Sequence, residues 1–275
     1  MSFGLIKGNL AGLDPNFVAF ARMAVSFVVF LPFLRVKDVQ NQLRIKLVLT
    51  GMVQYGLMYA FYIGAFRYLQ AYQVALFTIL TPLYVTLLDD MLLLRLRLWG
   101  LAMAGMAVAG AVVISFSDAG HAFILKGFAL VQASNLCFAF GQVYYRRTMR
   151  SFSDVPDGSI FALLYLGAVV LCGTLTAFSA GPADIHLGTK HVLTLLYLGF
   201  VASGLCFFLW NNGARKSDVA VLAILNNAKI PLAVAFSILI FGENASLGRL
   251  VIGGGFMFAA LLLNHRRVQR RKVTR

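Results

Sequence analysis

Lys229 stands inside an apolar stretch, with Asn226 and Asn227 just before it and Pro231 two residues after it. A proline has no backbone N–H to donate, so it frees a carbonyl in the turn before it. A cation, two amides and a freed carbonyl make a polar notch that suits a carboxylate or another hydrogen-bonding solute. The competing reading is a lysine neutralised by burial or stretched to an interface, but neither interface is close to mid-stretch. Arg22, seven residues after Pro15, reads equally as a solute contact or as a structural arginine satisfied by loop carbonyls. Tyr55, Tyr59 and Tyr62 share one helical face, because residues three and four apart are neighbours. With Gln54, and with Trp210, Asn211 and Asn212 further on, they predict a wall that stacks on and hydrogen-bonds a ligand. Ordinary packing or an interfacial aromatic belt would use the same residues. Asn135 and Gln142, seven apart, are further candidates for a cavity face.

The chemistry these residues offer is recognition, not bond-making. All ten acidic residues, from Asp14 to Glu243, fall in loops or at helix ends, and none of His121, His186, His191 and His265 lies mid-stretch. There is no HExxH or GxSxG arrangement. Cys137, Cys172 and Cys206 lack metal-ligand spacing and read as small packing residues. No enzyme, metal or cofactor is expected. Without a buried carboxylate to carry a proton, downhill facilitation is the simpler mechanism.

The elements that must position these groups are membrane helices. The chain has 275 residues, 60% of them hydrophobic and 12% charged, with a mean hydropathy of +0.81, against about 25% charged in soluble domains. The apolar runs are long and unbroken rather than alternating, which excludes a β-barrel and leaves helices. Spans are expected near 16–34, 46–66, 71–88, 98–116, 126–145, 159–179, 191–212, 218–241 and 248–264; residues 1–13 read as the tail end of a helix. The net charge of +14 does not point to nucleic acid, because the basic residues sit in short loops and in the tail 265–275. Loops 35–46, 89–97, 146–157 and 213–217 plus that tail hold 17 of the 24 Lys and Arg residues, while Arg67, Lys126, Lys190 and Arg249 are alone in the others. The positive-inside rule then puts the tail in the cytoplasm.

The chain also repeats itself. A shift of 148 places Gly51 on Gly199, Gly56 on Gly204, Arg67 on Arg215, Gly100 on Gly248 and Gly105 on Gly253, and Pro82 meets Pro231 one residue later. Phe3-Gly4 matches Phe140-Gly141, but the second copy has a further stretch of helix from Lys126 that the first lacks. The first helix therefore reads as truncated, and in-frame coding sequence upstream of Met1 is expected to complete it. Five helices per half, an odd number, makes the repeat inverted. The small residues around Gly100, Gly105 and Gly110, matched by Gly248 and Gly253 to Gly255, suit close helix contacts and a possible homodimer face.

Three stretches, GLDPNFVAFARMAVSFVVFLPF, QYGLMYAFYIGAFRYLQAYQVALFTILTPLYVTLLDD and LNNAKIPLAVAFSILIFGE, resemble the EamA-type transporters of the drug/metabolite transporter superfamily, near its carboxylate/amino-acid/amine group. The resemblance covers nearly the whole chain. It implies an all-α membrane protein of ten helices in an inverted five-plus-five repeat: residues 1–116 with the truncated first helix, residues 117–264, and a basic cytoplasmic tail at 265–275. It also implies a multi-pass protein of a bacterial inner membrane that moves a small polar metabolite, such as an amino acid, amine or carboxylate, through a cavity between the halves. Leu94-Arg95 stands where the second half has Gly242-Glu243, a departure from the pattern. A non-transporting membrane scaffold or an inactive truncated transporter is the alternative.

Overall fold

A computed structural model describes residues 2–92, 121–179 and 187–216 continuously, with isolated helical positions between residues 102 and 266. The expected span near 218–241, and most of those near 98–116 and 248–264, lie outside the described residues. Ten helices are numbered in chain order: α1 Ser2–Asn9, α2 Pro15–Phe30, α3 Asn41–Gly51, α4 Met58–Ala65, α5 Ala71–Phe77, α6 Thr81–Leu92, α7 His121–Arg150, α8 Phe161–Ser179, α9 Thr189–Tyr197 and α10 Cys206–Lys216. Among the described residues there is no strand. Six helical stretches are long and apolar enough to cross a bilayer: Pro15–Phe33, Asn41–Ala65, Ala71–Leu92, Ile124–Arg150, Asp157–Ser179 and Thr189–Lys216. Each falls on an expected span.

Local chemistry sets the boundaries. Asp14 caps α2, its Oδ1 accepting from the N–H groups of Asn16 at 2.9 Å and Phe17 at 3.1 Å, and Pro15 occupies the first turn, where its missing donor costs nothing. Val18, Ala19, Arg22, Met23, Ser26 and Phe30 form the buried face of α2 at helical spacing, while Val28 stays 64% exposed, as a lipid-facing residue does.

Pro82 breaks the third span. Helix α5 ends at Phe77, a 3-10 turn covers Thr78–Leu80, and α6 resumes at Thr81. The carbonyls loosened by the break are taken up by side chains. Asn135 Nδ2 donates to the Phe77 carbonyl at 2.9 Å, and the Thr81 hydroxyl donates to the Thr78 carbonyl at 2.8 Å. Irregular backbone at membrane depth survives where such partners are at hand.

Two π-helical segments mark the second and sixth spans: Met52–Leu57 joins α3 to α4, and Leu198–Leu205 joins α9 to α10. Glycines in and next to these spans admit close neighbours. A methyl group added at Gly51 would sit 1.8 Å from the Leu164 carbonyl of α8, and one at Gly167 would sit 2.0 Å from the Val48 carbonyl. Gly199 does the same for α2, where an added Cβ would fall 2.6 Å from Val25 Cβ. Helices α2 and α8 run antiparallel. Asn16 at the start of one bonds Ser179 at the end of the other at 2.9 Å, and the Arg35 N–H donates to the Ser159 carbonyl at 3.0 Å at the opposite end.

Candidate functional site

Arg22 is the largest polar side chain in the core, 1% exposed. Serine and tyrosine satisfy it, not the loop carbonyls that one sequence reading offers. Its Nε donates to Ser203 Oγ at 3.1 Å, and its Nη2 donates to the same oxygen at 2.9 Å and to the Tyr59 hydroxyl at 2.9 Å. The Tyr59 hydroxyl and Ser203 Oγ lie 3.0 Å apart, and the guanidinium carbon sits 4.4 Å from the centre of the Tyr59 ring. Ser203 comes from the second π segment, so the triad bridges elements far apart in sequence. Nη1 has no partner, and Arg22 makes no ion pair among the described residues.

Arg22 lines a cavity of about 190 Å³, below the roughly 300–1,000 Å³ that encloses a drug-sized ligand. It therefore suits one end of such a solute. Met58, Phe138 and Phe207 supply apolar wall, Tyr59 and Tyr62 a polar-aromatic edge, and Thr78, Thr81, Ser134 and Asn135 the polar side at the Pro82 break. Among the described residues, no aspartate or glutamate lines it. Asn135 is held by the Phe77 carbonyl, by Gln132 Oε1 at 3.1 Å and by the Thr81 hydroxyl at 3.2 Å.

The remaining candidates are distributed differently. Gln54, Tyr55 and Asn211 form a separate buried network, in which Gln54 Nε2 donates to Asn211 Oδ1 at 3.2 Å and Asn211 Nδ2 donates to the Tyr55 hydroxyl at 2.6 Å. Tyr55 also stacks on Tyr165 at 5.4 Å, and Tyr165 donates to the Ser203 carbonyl at 2.6 Å. None of these lines the cavity. Gln142 and Trp210 are not in its wall either, and Gln142 Nε2, Trp210 Nε1 and Gln54 Oε1 are buried without partners. Lys229, Asn226 and Asn227 lie outside the described residues. Ser203 and Phe207 escape the sequence reading: a serine and a phenylalanine in an apolar helix carry no signal of their own. The one available hint is Ser203's place between Gly199 and Gly204, the repeat-matched glycines.

A family model described as the EamA-like transporter family matches residues 1–116 and 125–265. The "Probable biotin transporter" of Pseudomonas aeruginosa is 35% identical over 274 residues, covering 99% of this chain and 95% of that protein. The "Biotin transporter" of Escherichia coli (strain K12) is 34% identical over 268 residues, covering 96% and 89%. The "Aromatic amino acid exporter YddG" of Ancylobacter novellus is 29% identical over 212 residues, covering 74% and 71%. A solved crystal structure superimposes with a TM-score of 0.64 at 21% identity, over 97% of this chain and 96% of that one.

Proposed function

The chain belongs to the EamA-like transporter family, and from that premise we propose that it carries a small monocarboxylate across a bacterial inner membrane, with biotin as the first solute to test. The observation that carries this reading is the unpaired edge of Arg22. A charge in the membrane interior costs at least about 2.5–3.5 kcal/mol, and it persists where it meets a partner or a pathway. Ser203 and Tyr59 hold the guanidinium by Nε and Nη2, Nη1 is buried without a partner among the described residues, and Arg22 is one of the residues that line the cavity. A carboxylate docking there makes a charge-assisted hydrogen bond.

The rest of the cavity narrows the class. Biotin has a carboxylate on an aliphatic chain and an uncharged cyclic urea at the other end. The Met58, Phe138 and Phe207 wall suits the chain, and the hydroxyls and amides at the Pro82 break suit a neutral polar group. An amine or amino acid would bring an ammonium next to Arg22, with no acidic residue among the described wall residues to receive it. The relatives named as biotin transporters, at 34–35% identity over nearly the whole chain, favour the same assignment.

The ten-helix inverted repeat belongs to this proposal. The family match falls in two stretches, and π segments occur at Met52–Leu57 and Leu198–Leu205, positions related by the 148-residue shift. Gly51 packs on α8 as Gly199 packs on α2. The described wall residues include no carboxylate, which favours facilitation over proton coupling.

Uptake of radiolabelled biotin into cells lacking their own biotin carrier tests the substrate. Expression of this chain should restore uptake, and unlabelled biotin should compete while its methyl ester and free amino acids should not. Equal competition by the ester would overturn the role given to Arg22, and failure to carry biotin while an amino acid is carried would overturn the substrate class.

A further inference from the structure

Two aspartate–arginine pairs occupy opposite ends of the bundle. Asp14, the cap of α2, accepts from Arg67 Nη2 at 3.3 Å, just beyond α4. Asp157, just before α8, accepts from Arg215 Nη1 at 3.1 Å, at the end of α10. The 148-residue shift lays Arg67 on Arg215, and each aspartate opens the long helix preceding its arginine's span. Because α2 and α8 run antiparallel, the two pairs sit on opposite faces of the membrane.

The pairs differ in how they are held. Arg67 is 62% exposed and Asp14 20%, against 17% for Arg215 and 5% for Asp157. Arg215 also donates to the carbonyls of Ser153 at 2.9 Å and Val155 at 3.3 Å, and the Tyr145 hydroxyl donates to Asp157. Along the spans, the fully buried Tyr55, Phe161 and Tyr165 lie between the Arg22 cavity and the Asp157 end. Asp14 also accepts from the α2 N–H groups and from Ser179 Oγ at 3.2 Å, but an exposed ion pair is worth little, so Asp14–Arg67 is the weaker of the two pairs.

In an inverted repeat, a switch of accessible face exchanges the conformations of the two halves, so what is tight in one becomes slack in the other. We propose that Asp157–Arg215 and Asp14–Arg67 are alternating latches of the transport cycle, the first fastened and the second slack in the conformation described here. The inference rests on the transport reading above.

The test is side-resolved thiol labelling without solute. Cys137, Cys172 and Cys206 are replaced by serine, Ala202→Cys is introduced in the cavity wall, and a membrane-impermeant maleimide is applied to intact cells and to everted vesicles. Asp157→Asn or Arg215→Gln should shift the ratio of labelling between faces toward the Asp157 face by roughly five-fold or more, the lower end of ordinary site-to-site coupling. Asp14→Asn or Arg67→Gln should shift it the other way, and the exchanged pair Asp14→Arg with Arg67→Asp should return the parental ratio. Unmoved ratios, or shifts in one direction for both pairs, would overturn the latches. Should the Asp157 and Arg215 variants fail to accumulate, the exposed pair and its exchange carry the test alone. Opposed shifts in a protein that carries no solute would sink the transport reading and leave the latches standing; carriage of biotin with unmoved ratios would do the reverse.

Discussion

At the residue scale, the proposed chemistry rests on one guanidinium edge. Arg22 makes its three hydrogen bonds through Nε and Nη2, and Nη1 has no partner among the described residues. Replacing Arg22 with Met keeps the length and removes the fork, so initial uptake at low solute concentration should fall about tenfold or more, as loss of a charge-assisted bond worth roughly 1.5–3 kcal/mol requires. Ser203→Ala leaves the charge but frees Nε, so its main effect should be a raised KM at little-changed maximal rate. Concentration dependence of uptake, normalised to the amount of protein in the membrane, checks both; parental kinetics in the Arg22 variant would make Arg22 structural.

At the element scale, close backbone approach holds the bundle together. Lipid supplies no hydrophobic drive between helices, so small residues that admit a neighbouring chain take over that work. An alanine methyl at Gly51 would lie 1.8 Å from the Leu164 carbonyl, whereas nothing lies within 4 Å of one at Gly64. Gly51→Ala should therefore lower stability by the roughly 1–3 kcal/mol typical of overpacking, and Gly64→Ala should be near neutral. Thermal midpoints of the two variants in one detergent measure the contrast, and equal midpoints would mean that α8 can move aside.

At the scale of the whole molecule, the asymmetry of basic loops is the ground for the proposed orientation. With 17 Lys and Arg residues on one set of loops and the tail, and 4 on the other set, a reporter fused after Arg275 should be active only in its cytoplasmic form. Fusions at Gly181 and Ala119 should give the opposite result. A periplasmic signal from the tail fusion would reverse the orientation and with it the face assigned to each latch.

The sequence by itself determined that this is a helical membrane protein, because a run of some twenty apolar residues has one stable solution in lipid. Each of the six described spans begins and ends within a few residues of its expected place, since Asp14, Pro15 and the charged loops mark water boundaries locally. Glycines in register are the sequence's ground for the proposed repeat. Site membership was not legible: Tyr55 and Tyr59 share a helical face by spacing, yet Tyr59 lines the cavity while Tyr55 packs against Tyr165. The π segment Met52–Leu57 widens the helix between them, and no pattern of residue types announces that change of register. The partners of Arg22 were not legible either: tertiary packing brings Ser203, 181 residues away, onto its Nε and Nη2. Helix formation is local, whereas the partner of a buried polar group is chosen by the crossing of distant helices, and only the folded chain makes that choice.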